Sequence, residues 1–405
     1  MRIVYLLLLA VFSIALQAQQ IDATKIKQHI KILTSDSLQG RGTGSEGEKM
    51  AAAYLVSELK KLKLRPLGDN GSYLQQFPFR GGVHGEGEAG TALNVVALLD
   101  NKAPGTIVIG AHYDHLGLGL QGGSLDANPK DKIHNGADDN ASGTAGAMEL
   151  ARYFATNKRK EKHNFLFIFF SGEEMGLLGS KYFTEHPTHD LSKINFMINM
   201  DMIGRLNSET KTVVVNGTGT SPVWEPLLKQ LATEQLKIKT DSSGIGPSDH
   251  TSFYLKNIPV LHFFTGSHAD YHKPSDDWDK INYEGAVAVL NLIRQVIEKL
   301  DGEPKLQFLK TKSNAMAVRS PFKVTLGVMP SYSSDEPGLK VDGVTEGRPA
   351  HKAGIQTGDL IIQMGPYEIK DVQSYMEALG KFDKGQTVQI KVKRGNEVLS
   401  LMVEF

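Results

Sequence analysis

Six short apolar runs, each too brief for a long helix, constrain the fold of this chain more than any other feature. They are ALNVVALL, TIVIGAHYD, NFLFIFFS, INFMINMDM, TVVVNG and IPVLHFF. Helical apolar spacing fills several of the gaps between and after them, at Gly143–Asn157, Met175–His186, Val223–Leu236 and Tyr283–Leu300. Strands that are apolar throughout need cover on both faces, and alternation with helices points to a mostly parallel sheet. The expected fold class is therefore α/β. The first two runs are close enough in sequence to pair as an antiparallel hairpin, which would make the sheet mixed. Ahead of them, a helix near Ile21–Leu33 precedes the Gly-rich stretch SDSLQGRGTGSEGEKM. There Ser45 and Glu48 form a capping-box pattern for a helix running to about Leu62.

A chain of 405 residues is too long for one ordinary core, so two domains are expected. The texture changes after Leu300: DGEPKLQFLKTKSNAMAV is polar, and beyond it come short β-type runs (KVTLGVM, TVQIKVKR, VLSLMVEF) with Gly-rich turns and a helix near Val372–Leu379. The expected division is a first domain over 19–305, a linker over 306–318 and a small β-rich domain over 319–405. Residues 1–18 read as a secretory signal sequence: Arg2, an apolar run from Ile3 to about Leu16, then small residues with cleavage after Ala18. That run is shorter than the roughly 20 residues that span a bilayer, and no later segment is apolar enough to do so. The expectation is a periplasmic or secreted protein without a transmembrane segment after cleavage. No cysteine is present, which excludes disulfides, thiolate metal sites and a cysteine nucleophile. With 45 basic and 45 acidic residues, there is no surplus charge to attract nucleic acid.

Five segments end in side chains that bind metal. In TIVIGAHYDH, His112 and Asp114 are two apart on a strand and project to one face. An imidazole ligand commonly has its other nitrogen held by a carboxylate, the role open to Asp114. His115 falls on the opposite face and reads as structural. GADDNASG opens a helix, where Asp138 or Asp139 can serve as an N-cap or lie in the favourable field of the helix start. NFLFIFFSGEE delivers Glu173 and Glu174 at the end of a very apolar strand. Neighbouring side chains diverge, so one can ligate while the other handles a proton. Asp201, in INFMINMDMIG, is costly to bury there unless paired or coordinating. In SHADYHKPSDD, His268 and His272 have helical spacing, but Ala269 stands where a helical zinc motif needs Glu, and Pro274 stops a helix. His272 therefore reads as a loop ligand and His268 as a surface residue.

With these motifs in this order, residues 25–300 resemble the co-catalytic two-zinc aminopeptidase family, whose relatives include glutamate carboxypeptidases, the transferrin receptor ectodomain and glutaminyl cyclases. The resemblance implies a zinc-dependent exopeptidase fold and two Zn²⁺ per chain. It implies one ion on Glu174, His272 and bridging Asp139, and the other on His112, Asp201 and the same Asp139, with a cis bond after Asp139. Glu173 matches the general base, and Asp114, which reads as the orienting partner of His112, is grouped with it as catalytic. Tyr271 matches a position that in some relatives donates to the oxyanion. Asp249 and His250, in GPSDHTSF, match a segment near the substrate pocket. From about Pro321 the chain resembles a bacterial protease-associated PDZ domain. Leu326, Gly327 and Val328 match its carboxylate-binding loop, and GRPAHKAGIQTGDLIIQMG its recurring helix and turn. Such a domain takes a C-terminal peptide by strand addition. The expected activity is a zinc metallopeptidase, an aminopeptidase acting on peptides. The alternatives are a single-zinc glutaminyl-peptide cyclotransferase and an inert peptide-binding protein.

Overall fold

The computed structural model describes residues 20–80, 89–121, 123–126, 128–311, 324–330, 336–344, 347–370 and 372–405. The signal-sequence expectation, over 1–18, lies outside the described residues, as do 312–318 of the expected linker.

The first domain runs through α1 (Ala23–Leu33), α2 (Glu46–Lys61), β1 (Arg65–Pro66), β2 (Leu74–Arg80), β3 (Ala89–Leu99), β4 (Gly105–His112), α3 (Gly143–Thr156), β5 (His163–Phe170) and α4 (Leu178–Glu185). It continues with β6 (Ile194–Met200), β7 (Thr212–Asn216), α5 (Trp224–Leu231), β8 (Lys237–Asp241), α6 (His250–Tyr254), β9 (Val260–Phe264) and α7 (Tyr283–Leu300). Among the described residues, nine strands form one sheet in the order β1-β3-β5-β4-β6-β9-β7-β8, with β2 also on β3. The centre, β5-β4-β6-β9, is parallel, whereas β1, β2 and β5 meet β3 antiparallel. The sheet is mixed, but not through the expected hairpin. The strand β5 lies between β3 and β4 and pairs with both.

That central place suits β5. All eight of its residues are buried. Phe165, Phe167 and Phe169 point into the layer built by α1, α2, α3 and α7, while Leu166, Ile168 and Phe170 meet Phe183 of α4 and Phe253 of α6 on the other face. A strand covered on both sides shows no polar alternation, which is why the run reads as uninterrupted apolar sequence. The N-terminus of α2 is capped as expected on one side, since Ser45 Oγ accepts from Glu48 N–H. The Glu48 carboxylate reaches further than a capping box requires, accepting from Gly44 N at 2.8 Å and Leu93 N at 3.0 Å. It thereby ties α2 to β3, and burial pushes it up to about 7. Helix α5 stops at Leu231, short of the expected Leu236, because the chain turns at Ala232 and Lys237–Asp241 pairs with β7.

After α7 the chain does not leave the domain at once. Leu306 is buried and its N–H donates to Asn195 Oδ1, Phe308 packs on Tyr254, and Leu309 N–H donates to Thr220 O. Thr311 N–H donates to the Tyr254 hydroxyl.

The C-terminal unit holds β10 (Val328–Pro330), β11 (Leu339–Val344), α8 (Pro349–Lys352), β12 (Leu360–Met364), β13 (Tyr367–Glu368), α9 (Val372–Leu379), β14 (Thr387–Arg394) and β15 (Glu397–Glu404). Its sheet is antiparallel, in the order β10-β11-β12-β14-β15 with β13 on β12. It has its own core, in which Leu326, Val341, Ile361, Met364, Ile390 and Val403 are buried.

Candidate metal centre

The parallel strands β4, β5, β6 and β9 end at one rim of the sheet, and the five metal-binding segments follow those ends. In an open α/β sheet the crevice outside the carboxyl ends of the strands is where ligands sit. His112 is the last residue of β4, Glu173 and Glu174 follow β5, and Asp201 follows β6. Asp139 comes from the turn between β4 and α3, and His272 from the loop after β9.

The side chains converge. His112 Nε2 lies 3.3 Å from Asp139 Oδ1 and 3.3 Å from Asp201 Oδ1. His272 Nε2 lies 3.1 Å from Asp139 Oδ2 and 3.1 Å from Glu174 Oε2. The two oxygens of Asp139 thus face different imidazoles. Donor atoms of His112, Glu173 and Asp201 form one group within 4.8 Å of one another, and those of His115, Asp139 and Glu174 a second. Zn–N bonds of about 2.0–2.1 Å and Zn–O bonds of about 2.0–2.2 Å at tetrahedral angles put neighbouring ligand atoms about 3.3–3.5 Å apart. The four histidine–carboxylate distances fall at or just under that range. The donor set is also the right chemistry: imidazoles and carboxylates buried together, with no thiolate, suit two Zn²⁺ ions.

Electrostatics make the same point. Burial, reinforced by Asp201, Asp249 and Glu174, pushes Glu173 well above the usual carboxylate range. Burial also raises Glu174, but His272 and His115 outweigh it and hold that group at about 2. Burial would lower His112 and His272, yet the facing carboxylates raise both well above the usual imidazole value. Buried carboxylates gathered this closely need protonated imidazoles, metal ions or protons of their own between them.

The supports come from several elements. His112 Nδ1 is 3.2 Å from the Asp114 carbonyl and 3.6 Å from its carboxylate, so the backbone oxygen is the nearer partner. The Asp114 carboxylate instead accepts from Thr43 Oγ1 at 2.9 Å and from Glu173 N–H at 3.3 Å. His272 sits at φ +54°, and Nδ1 meets Gly123 O at 2.7 Å while its carbonyl accepts from Leu125 N–H. The Asp139 turn is held from three sides, and its Asp139–Asn140 peptide is cis. Asp276 Oδ2 accepts from Asp138 N–H at 2.9 Å and Asp139 N–H at 3.1 Å. Asn140 bonds Met200 O and Met202 N–H on either side of Asp201. The third support is Arg41, which is fully buried and donates to the carbonyls of Tyr113, Asn135, Gly136 and Leu33. The neighbouring Gly40, at φ +68°, allows this turn, since a Cβ there would stand 2.4 Å from His134 O.

Other expected residues fall as follows. His268 is only partly exposed and pairs with Asp138 Oδ2 at 3.3 Å, because the loop folds back over the Asp139 turn. His115 is buried with Nδ1 2.7 Å from Glu174 Oε1. The strand ends at His112, so the two-residue alternation that assigned His115 to the opposite face does not reach it. Tyr271 stacks on His272 with ring centroids 3.8 Å apart. Asp249 is fully buried beside the centre, raised to about 7 by that burial, and His250 stacks on His262. In the C-terminal unit Leu326 is buried, Gly327 takes φ +78° with its N–H on Thr325 Oγ1, and Val328 begins β10. Sequence reasoning did not single out Arg41, Asn140 or Asp276. The clue to Arg41 was a charged residue between two glycines in QGRG, and the clue to Asp276 its place in the His272 segment.

Comparison with known proteins agrees with this geometry. Residues 94–297 match the model of peptidase family M28, and residues 324–405 match the PDZ domain. The chain is 28% identical over 193 residues to leucine aminopeptidase 2 of Trichophyton equinum, covering 45% of this chain and 37% of that protein. It is 29% identical over 229 residues to aminopeptidase YwaD of Bacillus subtilis, covering 53% of this chain and 46% of that protein. The chain therefore spans less than half the length of either relative. The crystal structure of the Legionella pneumophila LapA aminopeptidase superposes with a TM-score of 0.55 at 24% identity, covering 72% of this chain and 74% of that one, and shows the shared fold.

Proposed function

Because this chain belongs to peptidase family M28, we propose that it is an exported zinc metallopeptidase of the aminopeptidase type, removing N-terminal residues from peptides. The observation that carries the reading is the division of Asp139, with Oδ1 toward His112 and Oδ2 toward His272, which is how one carboxylate is shared between two ions. His112, Asp201 and Asp139 would hold one zinc, and Glu174, His272 and Asp139 the other. When bound, two zinc ions supply Lewis acidity, lowering the pKa of an attacking water towards neutral and polarising the scissile carbonyl. Glu173 takes the proton from that water and passes it to the leaving nitrogen. Its burial suits this task, because a carboxylate whose proton affinity is raised is a better base. Asp114, accepting from Glu173 N–H, keeps the backbone of the base in place. Tyr271, stacked on His272, would donate its hydroxyl to the oxyanion. Asp249, buried within electrostatic reach of His112 and Asp201, and His250, buried against His262, would shape the surroundings of the centre. The Leu326–Val328 loop and the strand β10, at the end of its sheet among the described residues, would offer a PDZ-type groove for a peptide C-terminus. Export rests on the Arg2 and Ile3–Leu16 pattern of the sequence.

The test joins metal analysis with turnover of aminoacyl, C-terminal and N-terminal-Gln substrates. Two zinc ions per chain with aminoacyl hydrolysis is the expected result. One ion per chain with cyclisation of N-terminal Gln would replace this reading with the cyclotransferase. In the same assay Glu173→Gln should keep both ions and lose about 10²- to 10⁴-fold in rate. Near-parental turnover in the metal-replete variant refutes Glu173 as the base.

A further inference from the structure

His115 stands in the donor group at the Asp139–Glu174 end of the centre, where it could be a fourth protein ligand or something else. Distances decide. Direct ligands of one zinc keep about 3.3–3.5 Å between their donor atoms. His115 Nδ1 is 2.7 Å from Glu174 Oε1, too short for two ligands, and 3.9 Å from Asp139 Oδ2, too long. The first value is that of a charge-assisted hydrogen bond. Because an ionised carboxylate can only accept, the proton of that bond sits on Nδ1. Glu174 therefore has its two oxygens assigned separately, Oε1 to His115 and Oε2 to the side where His272 Nε2 lies 3.1 Å away.

We infer that His115 is a positioning residue that holds Glu174 to the metal through Oε2 alone. This keeps the ion on Glu174, His272 and Asp139 at three protein ligands, leaving a position open as a hydrolytic zinc requires. The ring is fixed for that task. Its backbone N–H donates to Arg41 O, and it meets His272 edge-on at 5.8 Å between centroids. Gly136 leaves room for it, since a Cβ there would lie 2.5 Å from the His115 ring. Among the described residues Nε2 is buried without a hydrogen-bond partner, so it offers Nδ1 no competition for the proton. The inference rests on the two-zinc reading and adds that the two ions are held unequally by their surroundings.

The test uses the full-length protein and three variants, His115→Ala, His115→Asn and His115→Gln. Asparagine can place an amide N–H near the Nδ1 position, whereas glutamine reaches past it. Zinc is counted after equilibration with graded chelator, and the absorption bands of the cobalt-substituted forms are recorded. The parent should hold two ions. The alanine and glutamine variants should give up one of the two at about 10- to 100-fold weaker affinity and keep the other. The asparagine variant should return that ion towards parental affinity with unchanged cobalt bands. Should the alanine variant fail to fold, the asparagine–glutamine contrast carries the same decision. Parental affinity for both ions in every variant overturns the inference. So does an asparagine variant that stays weak and shifts its cobalt bands, which would make His115 a direct ligand. A parent that holds fewer than two ions instead refutes the two-zinc reading itself, and the inference with it.

Discussion

Replacing Arg41 by methionine tests whether the metal segments are held by one buried cation. The side chain is wholly inaccessible and its guanidinium donates to four main-chain carbonyls. One ends α1 (Leu33), one follows the His112 strand (Tyr113), and two precede the Asp139 turn (Asn135, Gly136). Hydrogen bonds to a charged donor contribute about 1.5–3 kcal/mol each, so four give roughly 6–12 kcal/mol. Against this stands the cost of burying the cation. Burial lowers Arg41 from the ordinary guanidinium value to about 10 despite Asp114, Asp139, Asp276 and Glu174 nearby. That depression corresponds to roughly 3 kcal/mol. Arg41→Met should therefore destabilise the protein by about 3 kcal/mol or more, lowering Tm by roughly 5 °C or more for a domain of this size. The metal adds a second readout with opposite signs for charge and for geometry. Removing a positive charge beside the carboxylates would by itself tighten zinc, by Coulomb's law. Losing the ties between the His112 and Asp139 segments would loosen it. Thermal unfolding of the metal-free protein and chelator competition on the loaded protein measure the two effects separately. A melting temperature within about 2 °C of the parent refutes the clamp, and zinc binding tighter than the parent shows that charge outweighs position.

Two further outcomes follow from groups away from the centre. His29 is buried against Tyr54, with Nδ1 2.6 Å from its hydroxyl, and burial lowers it from 6.5 to about 4. The unfolded chain binds the proton first, so stability is whole above about pH 6.5 and falls by roughly 3 kcal/mol as pH drops through 4. Urea midpoints across this range should flatten in His29→Gln, and parallel slopes would refute the assignment. In the C-terminal unit, Arg394 grips Asp359 with Nε and Nη2 at 2.7 and 2.8 Å, the arginine about a third exposed and the aspartate buried. Arg394→Ala should lower the unfolding temperature of this unit, by less than loss of a fully buried pair would, because solvent reaches the arginine. Calorimetry of the full-length protein measures it, and an unchanged transition for this unit would show that water replaces the ion pair without loss.

How much of this was legible in the sequence depends on whether a residue acts through local period or through distant packing. The strands carrying His112, Glu173, Glu174 and Asp201 were readable because burial on both faces leaves uninterrupted apolar runs, and the ligands sit where those runs stop. The order of strands was not. Proximity favoured pairing β3 with β4, whereas the Phe-rich β5, covered on both faces, takes the place between them. His115 was misplaced because alternation was extended past the end of β4, into a segment bonded to the Arg41 turn. His268 looked like a surface residue because its partner, Asp138, is 130 positions away in the chain. Asp276 and Arg41 reach the Asp139 turn through contacts that no local pattern encodes.

The stretch from Leu306 to Thr311 bears on how the two halves of this protein can be separated. It reads as polar tether, yet it lies along the sheet domain like a sewn hem, with Leu306 and Phe308 as its stitches. A fragment trimmed at Leu300 would strip greasy surface bare around Tyr254 and invite clumping, while a PDZ fragment begun there would drag two homeless apolar side chains with it. Scissors belong beyond Thr311.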